Sequence, residues 1–402
     1  MRSIYFDVSV PKVLATRALG RIWSGAYFAR SSPVRMRDVP TGPLGPQQIR
    51  IENRVCGICA SDLHVVFADI DPRVHPAALP GYRRIYLGHE VVGQIVERGA
   101  EVRELEVGDR VLMKSKLLRA TCASQGLPPC RACRDGNYGL CAAGPPPSLS
   151  LIGVGGGWGD GYICHQSEVW RVPPSLSDDA AAMIEPLSCS VRAVLRRLPM
   201  PGERALVIGC GTLGLGILMA LRALAKDVEL HAFARHAHQR AFADRLGAHV
   251  LDGDLLEQAA AATGAKLHRA PFGNRTMTGG FDVIYDCVGS PSTVGTALRA
   301  TRGGGAVVLA GVHLHPVRVD LTPIVFEEVS LIGSFAHGCE AWQGETLSSF
   351  ELTGRLVREG RMDPRPLITH RFPLARWQDA IRMASDKRKG SIKVVFDFQA
   401  TS

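Results

Sequence analysis

One turn constrains the fold of this chain more than any other stretch. The apolar run ALVIG (205–209) leads directly into Gly209-Cys210-Gly211-Thr212-Leu213-Gly214, and that into LGILMALRALA (215–225), which has helical spacing. A G-x-G-x-x-G placed between a strand and a helix is the phosphate-binding turn of a βαβ unit. Gly209 permits the tight turn, Gly211 lets a pyrophosphate approach the backbone, and Gly214 lets helix and strand pack closely. Thr212 and Leu213 open the helix, whose free N–H groups and partial positive charge suit phosphate oxygens. The alternation continues through DVELHAFA (227–234), HQRAFADRLGA (238–248), FDVIYDCVG (281–289) and GGAVVLAG (304–311). Apolar strands alternating with helical stretches build a parallel sheet with crossover helices, so the fold class is α/β with a dinucleotide-binding domain.

The end of the second strand separates the two nicotinamide dinucleotides, because an acidic side chain there hydrogen-bonds the ribose 2′-OH of NAD. Here that strand ends Phe233-Ala234-Arg235-His236, and residues 230–243 contain no acid. A 2′-phosphate would meet Arg235, with His236 or Arg240 beside it, and no carboxylate to repel it. NADP(H) is therefore expected over NAD(H).

Residues from about 35 to 190 read differently, as short β-like runs between Gly/Pro turns, for example QQIRIENRV (47–55) and HEVVGQIVERG (89–99). The last zone, from about 336, offers a helix in ETLSSFELTGRLVREG (345–360) and closes on SIKVVFDF (391–398). With 46% hydrophobic and 21% charged residues in 402, intrinsic disorder and a small disulfide-stapled scaffold are excluded. No run approaches the roughly 20 apolar residues of a membrane span, and MRSIYFDVSVPKVLATRALGR lacks the apolar core of a signal peptide. A cytoplasmic protein with no membrane partner is expected. The net charge of +9 is spread over short clusters without interleaved aromatics, which argues against nucleic acid.

Eleven cysteines in such a compartment are metal ligands or buried apolar groups rather than disulfides. Cys59, in Cys59-Ala60-Ser61-Asp62-Leu63-His64, follows a strand, and His89 stands in Gly88-His89-Glu90. Cysteine and histidine suit zinc, and a catalytic site needs three protein ligands and an open position. The third ligand is a carboxylate, Glu90 or Glu185, and spacing does not choose between them. A second cluster, Cys122-x7-Cys130-x2-Cys133-x7-Cys141, fits a closed tetrahedral structural zinc. Cys56 imitates a redox C-x-x-C with Cys59, but its place beside a metal site favours a half-buried apolar role.

These motifs, with Gly108-Asp109-Arg110-Val111 and Glu185-Pro186-Leu187, stand in the order seen in zinc-dependent medium-chain dehydrogenases/reductases. The chain resembles that family over roughly residues 35–398, and its Glu185-Pro186-Leu187 element is closer to the polyol and threonine dehydrogenase branch. The resemblance implies a GroES-like β-rich catalytic domain at 1–195 and 336–402, with a cysteine-rich lobe at about 118–145, and a Rossmann domain, a doubly wound parallel sheet, at 196–335. It also implies hydride transfer between a small-molecule alcohol or carbonyl substrate and the cofactor. Zinc on Cys59, His89 and the carboxylate would hold the substrate oxygen, with Ser61 and then His64 as proton relay and Asp62 orienting His89 or capping its helix. Cys287 and Val288 would line the cofactor crevice, and Lys393 would lie near the pyrophosphate. Relatives form homodimers or homotetramers through Rossmann sheet edges, and the 304–315 stretch could supply that edge.

The chain departs from the pattern in three places: Leu127 stands where the family's lobe has a cysteine, and residues 1–20 and 263–280 have no counterpart. Arg73, His75, Arg83 and Arg84, in the loop 65–87, could hold an anionic substrate; a polyhydroxylated secondary alcohol is the alternative. Three rival readings are a zinc-free quinone or enoyl reductase, which Cys59 and His89 oppose, a redox-neutral epimerase or eliminase on the same fold, and a non-enzymatic scaffold.

Overall fold

The computed structural model describes every residue except 72–83, 115–120, 144–153, 270, 274, 313 and 400–402. Its chain divides into two compact units, Met1–Glu185 with Pro364–Ser402, and Pro186–Asp363. The divisions expected at 195/196 and 335/336 thus fall at 185/186 and 363/364. Helix Ile184–Arg196 crosses the first of them, with Glu185 the last residue of one unit and Pro186 the first of the other.

The first unit is built on a sheet whose strands run in the spatial order Ile368–Phe372, Lys393–Asp397, Gln48–Gly57, Val91–Arg98, Arg110–Met113 and Val169–Arg171. Strand Gly161–His165 also pairs with Gln48–Gly57. Apolar side chains at alternate positions, such as Ile49, Ile51, Ile95, Val111, Trp158, Tyr162 and Phe396, bury into one core. The stretch 1–20 adds strand Arg2–Asp7, which pairs with Val34–Asp38 and Arg84–Tyr86, and helix Val10–Gly20.

Gly155–Gly159 would pass for a flexible loop on composition, yet it is packed. Asn53 Nδ2 donates to the carbonyls of Gly156, Gly157 and Gly159 at 3.0, 3.3 and 2.7 Å. The Gly157 and Trp158 amides donate to Gly88 O and Leu87 O, both at 2.9 Å. A Cβ on Gly157 would stand 2.4 Å from Cys56 Sγ, so glycine is required by close approach rather than by flexibility.

The second unit holds a six-stranded parallel sheet in the order His249–Leu251, Glu229–Phe233, Arg204–Ile208, Phe281–Asp286, Thr301–Leu309, Ser330–Gly333. Numbered along the chain this is 3-2-1-4-5-6, the doubly wound dinucleotide-binding order, with its switch point between Arg204–Ile208 and Phe281–Asp286. Two expectations need correction. Thr301–Leu309 lies inside the sheet, so the edge on its side is Ser330–Gly333 and not the 304–315 stretch, and His249–Leu251 forms the opposite edge. The helix expected over 345–360 begins at Ser349: the positive φ of Gln343 and Gly344 turns the chain so that Glu345–Ser348 pairs as a strand with Cys339–Trp342. Within 263–280, for which the family pattern has no counterpart, strands Lys266–Arg269 and Arg275–Thr278 pair antiparallel.

Glu168 ties the sheet to the cysteine lobe. It is buried, accepts the His165 amide at 3.1 Å and bonds the Ser124 hydroxyl, and burial pushes its carboxyl up to about 7 against a usual 4.5. The folded chain therefore holds this proton over a pH window in which the unfolded chain has released it. This contribution is fully present below about 4.5 and is lost as pH rises through about 7, a change of about 3 kcal/mol. Urea unfolding of Glu168→Gln against the parent at pH 5 and pH 8 is expected to show the variant gaining relative stability at the higher pH. An equal difference at both values would contradict this origin.

Candidate active site

Antiparallel pairing gathers the first group of residues. Strand Gln48–Gly57 is flanked by Val91–Arg98 and Lys393–Asp397, both antiparallel to it, so its C-terminal end lies beside the starts of its two neighbours. Cys59 follows that end as the N-cap residue of helix Ala60–Val66; His89 and Glu90 precede one neighbour, and Lys393 opens the other. The donor atoms of Cys59, His89 and Glu90 all lie within 4.8 Å of one another.

Asp62, wholly buried, orients this group. Its Oδ1 accepts the Gly88 amide at 3.1 Å and its Oδ2 lies 3.4 Å from His89 Nδ1, which leaves Nε2 as the histidine nitrogen for a metal. The N-cap position of the helix is Cys59 rather than Asp62, and Asp62 is engaged by Gly88 and His89. Burial opposes a charge on His89, but Asp62 and Cys59 outweigh it and raise its pKa. A half-buried thiol and imidazole with a buried carboxylate fit a zinc ion, with sulfur, nitrogen and oxygen donors each represented.

Lys393 does not stand free for a pyrophosphate. Its ammonium, 3% exposed, donates to both oxygens of Glu90 at 2.7 and 2.5 Å and to Ile58 O at 3.4 Å. Gly57 makes room for this pair: a Cβ there would stand 2.0 Å from Glu90 Oε2. Glu185 is also buried, and burial pushes its carboxyl up to about 7, but it lies outside the donor cluster that Glu90 completes. On helix Ala60–Val66, Ser61 is half-buried, and His64 Nδ1 lies 3.0 Å from Asp69 Oδ2. Among the described residues no hydrogen bond joins Ser61 to His64.

Lys387 was not singled out by sequence, because the run Lys387-Arg388-Lys389 reads as a solvated cluster. It is half-buried, and burial, then Lys393, bring its ammonium down to about 8, with Glu90 and Cys59 acting in the opposite sense. Arg84 is engaged elsewhere: its guanidinium stacks 4.1 Å over the Tyr5 ring. Arg73, His75 and Arg83 lie outside the described residues.

The four lobe cysteines converge despite the unusual first spacing. Cys122, Cys130, Cys133 and Cys141 bring their sulfurs within 4.8 Å of one another, with Cys122 Sγ 3.6 Å from Cys141 Sγ. The turn Ala123–Gln125 ends on left-handed Gly126, and the Leu127 amide bonds back to Cys122 O at 2.8 Å, so the additional residues loop out and Cys122 fills the place for which Leu127 offers no thiol. Amide donation from Ala142 leads the causes that bring the Cys130 thiol down to about 6, whereas burial pushes Cys133 up to about 12. Four converging sulfurs with amide donors fit a tetrahedral zinc.

In the second unit the glycines act as the motif requires. Gly209 has φ +91°, and a Cβ on Gly214 would lie 2.0 Å from Gly209 O. A Cβ on Gly211 would meet nothing within 4 Å, and Gly211 is the N-cap of helix Thr212–Leu224, which has no side-chain cap hydrogen bond. Leu213 O is held by the Ser190 hydroxyl at 3.0 Å. Across the switch point, buried Asp286 accepts the amides of Val288 and Gly289 at 2.9 and 3.1 Å and the Thr293 hydroxyl at 2.9 Å, which fixes the Cys287–Val288 turn. Val288 comes within 2.5 Å of a Cβ built on Gly209, so the two turns are neighbours. At the end of Glu229–Phe233, Arg235 is exposed and without an ion pair among the described residues. His236 stacks on His238 with centroids 5.7 Å apart. Arg240 holds the turn, donating to Ala234 O and Arg235 O at 3.3 and 3.1 Å.

Comparison with known proteins follows the same division. The alcohol dehydrogenase GroES-like domain matches residues 45–174, and the zinc-binding dehydrogenase family matches residues 214–351. The chain is 30% identical to an L-idonate 5-dehydrogenase of Vitis vinifera over 361 residues, 88% of this chain and 89% of that protein. It is 30% identical to a sorbitol dehydrogenase of Arabidopsis thaliana over 365 residues, with the same coverage of 88% and 89%. The crystal structure of 2R,3R-butanediol dehydrogenase from Bacillus subtilis superposes with a TM-score of 0.69 at 23% identity, covering 90% of this chain and 96% of that one.

The glycine geometry separates folding from binding. Gly211→Ala is expected to leave thermal unfolding unchanged while weakening nicotinamide dinucleotide binding about tenfold, since its methyl points into the phosphate approach. Gly214→Ala is expected to lower stability as well, since its methyl meets backbone. Calorimetry and cofactor titration of both variants check this.

Proposed function

The chain belongs to the zinc-dependent medium-chain dehydrogenases of the polyol and threonine dehydrogenase branch, and from that premise we propose that it oxidises a polyhydroxylated secondary alcohol, or reduces the ketone, with NADP(H). A zinc- and nicotinamide-dependent alcohol oxidoreductase follows from the family; the substrate class, cofactor preference and residue roles are our reading. The observation that carries it is the Cys59–His89–Glu90 donor cluster, with Lys393 as counter-charge to Glu90.

A bound zinc would supply a Lewis acid for the substrate oxygen, and a nicotinamide cofactor would supply the hydride acceptor or donor. Cys59, His89 and Glu90 hold the metal, and Asp62 fixes the His89 ring. Ser61 takes the substrate hydroxyl proton and passes it to His64, whose other nitrogen Asp69 orients. The four lobe cysteines would hold a second, structural zinc. The relatives named L-idonate 5-dehydrogenase and sorbitol dehydrogenase favour the polyhydroxylated alternative, and Arg84, one of the four residues considered for an anionic substrate, lies over the Tyr5 ring. Arg235 and His236 receive the 2′-phosphate, while Arg240 positions their turn.

The edge strand Ser330–Gly333, with exposed Val325, Phe326 and Leu331 nearby in sequence, supports a homodimer or homotetramer through this edge. No helix among the described residues is long and apolar enough to cross a membrane.

The test follows nicotinamide absorbance against a panel of polyols and ketones with both cofactors. A kcat/KM at least about tenfold higher with NADP(H) is expected, and Arg235→Ala should remove that preference by lowering the NADP(H) value alone. A clear preference for NAD(H) overturns the cofactor assignment. Tight cofactor binding without turnover of any alcohol or ketone points to the redox-neutral chemistry instead.

A further inference from the structure

The net positive charge, diffuse in the sequence as a whole, is concentrated in one segment. Residues 8–37 contain Lys12, Arg17, Arg21, Arg30, Arg35 and Arg37 and no aspartate or glutamate. Much of this segment is helix Val10–Gly20 and the turn that follows it. The helix is fastened to its unit by one side only. Val13 packs on the core, Thr16 is buried, and a Cβ on Gly20 would lie 2.4 Å from the Tyr27 ring. At about 100° per residue, Leu14, Ala18 and Ile22 then fall on the side away from the core, with Leu19 at their border.

Burial agrees with this projection. Val10, Leu14, Leu19, Ile22 and Trp23 are between 51% and 89% exposed. Arg17 and Arg21 border this stripe on one side and Lys12 on the other. Lys12 is paired with Asp7 at 3.1 Å, whereas the five arginines make no ion pair among the described residues. An apolar stripe between flanking cations, with a tryptophan at its end, is the arrangement of a helix that lies in the plane of a lipid interface. The charge also selects among occupants: a second copy would bring the same cations against these, which like-charge repulsion opposes, whereas an anionic surface complements them.

In place of the expectation of no membrane partner, we propose that helix Val10–Gly20 with Ile22 and Trp23 is a peripheral docking surface for anionic phospholipid membranes. The apolar stripe enters the headgroup boundary, and Arg17 and Arg21 beside it pair with lipid phosphates and carboxylates. This reading is independent of the oxidoreductase chemistry, because none of these residues belongs to the metal cluster or the dinucleotide turn.

Co-sedimentation of the full chain with vesicles tests it. The protein is expected to pellet with phosphatidylcholine vesicles containing phosphatidylserine and to stay in solution with phosphatidylcholine alone. Binding should weaken as salt rises. Ile22→Ser with Trp23→Ser, and separately Arg17→Gln with Arg21→Gln, should each lower vesicle binding about tenfold while leaving alcohol oxidation in solution unchanged. Absence of binding to the anionic vesicles, or equal binding by parent and both variants, overturns the proposal. So does a change in oligomeric state by light scattering in the apolar variant, which would make this face a contact between copies.

Discussion

The ion pair between Glu90 and Lys393 joins residues 303 apart in sequence and lies inside the first unit with both charges out of water. A buried pair of this kind is held by geometry: loss of either partner leaves a lone charge, at a cost of about 3–5 kcal/mol. Here the geometry is that of two strands flanking a third. Glu90 precedes Val91–Arg98, Lys393 begins Lys393–Asp397, and both lie beside the end of Gln48–Gly57, where Gly57 leaves the space they fill. The same strand end delivers Cys59. The return of the C-terminal segment to the first unit is thus what balances the carboxylate at the candidate metal site.

Around this pair the remaining side chains act mainly by fixing one another. Asp62 bonds the Gly88 amide and faces His89, and the packed Gly155–Gly159 run, clamped by Asn53, holds the Leu87–Gly88 backbone from the other side. In the second unit Asp286 has a comparable position, gathering two turn amides and the Thr293 hydroxyl beside the Gly209 turn. Both carboxylates are buried and anchor backbone that carries, or would contact, a ligand.

Local patterns made much of this legible in the sequence. The strand, glycine turn and helix over 205–225 are dictated within a few residues of one another, and the parallel sheet follows from alternation. The donor types at Cys59, His89 and the cysteine lobe likewise announce zinc. What sequence could not settle depends on distant pairing. Glu90 and Glu185 are chemically equivalent until strand register brings one of them to Cys59. Lys393 reads as a phosphate ligand until the same register sets it on Glu90. The lobe's first cysteine is decided by how 123–127 folds back, and the hairpin at 345–348 by positive φ at Gln343 and Gly344, which helical periodicity does not register. Glycine abundance was equally ambiguous at 155–159, where it signals close packing.

The central claim is that the first unit carries a metal site on Cys59, His89 and Glu90, separate from the site of the four lobe cysteines. The most direct measurement is zinc bound per chain in the intact protein, in Cys59→Ser and in Cys130→Ser, with cobalt substitution to read the ligand set from its absorption. About two metal ions in the intact protein are expected. One should be lost in each variant, with the thiolate-rich cobalt spectrum surviving in Cys59→Ser and collapsing in Cys130→Ser. Full zinc content retained by Cys59→Ser, or no zinc in the intact protein, would contradict the account.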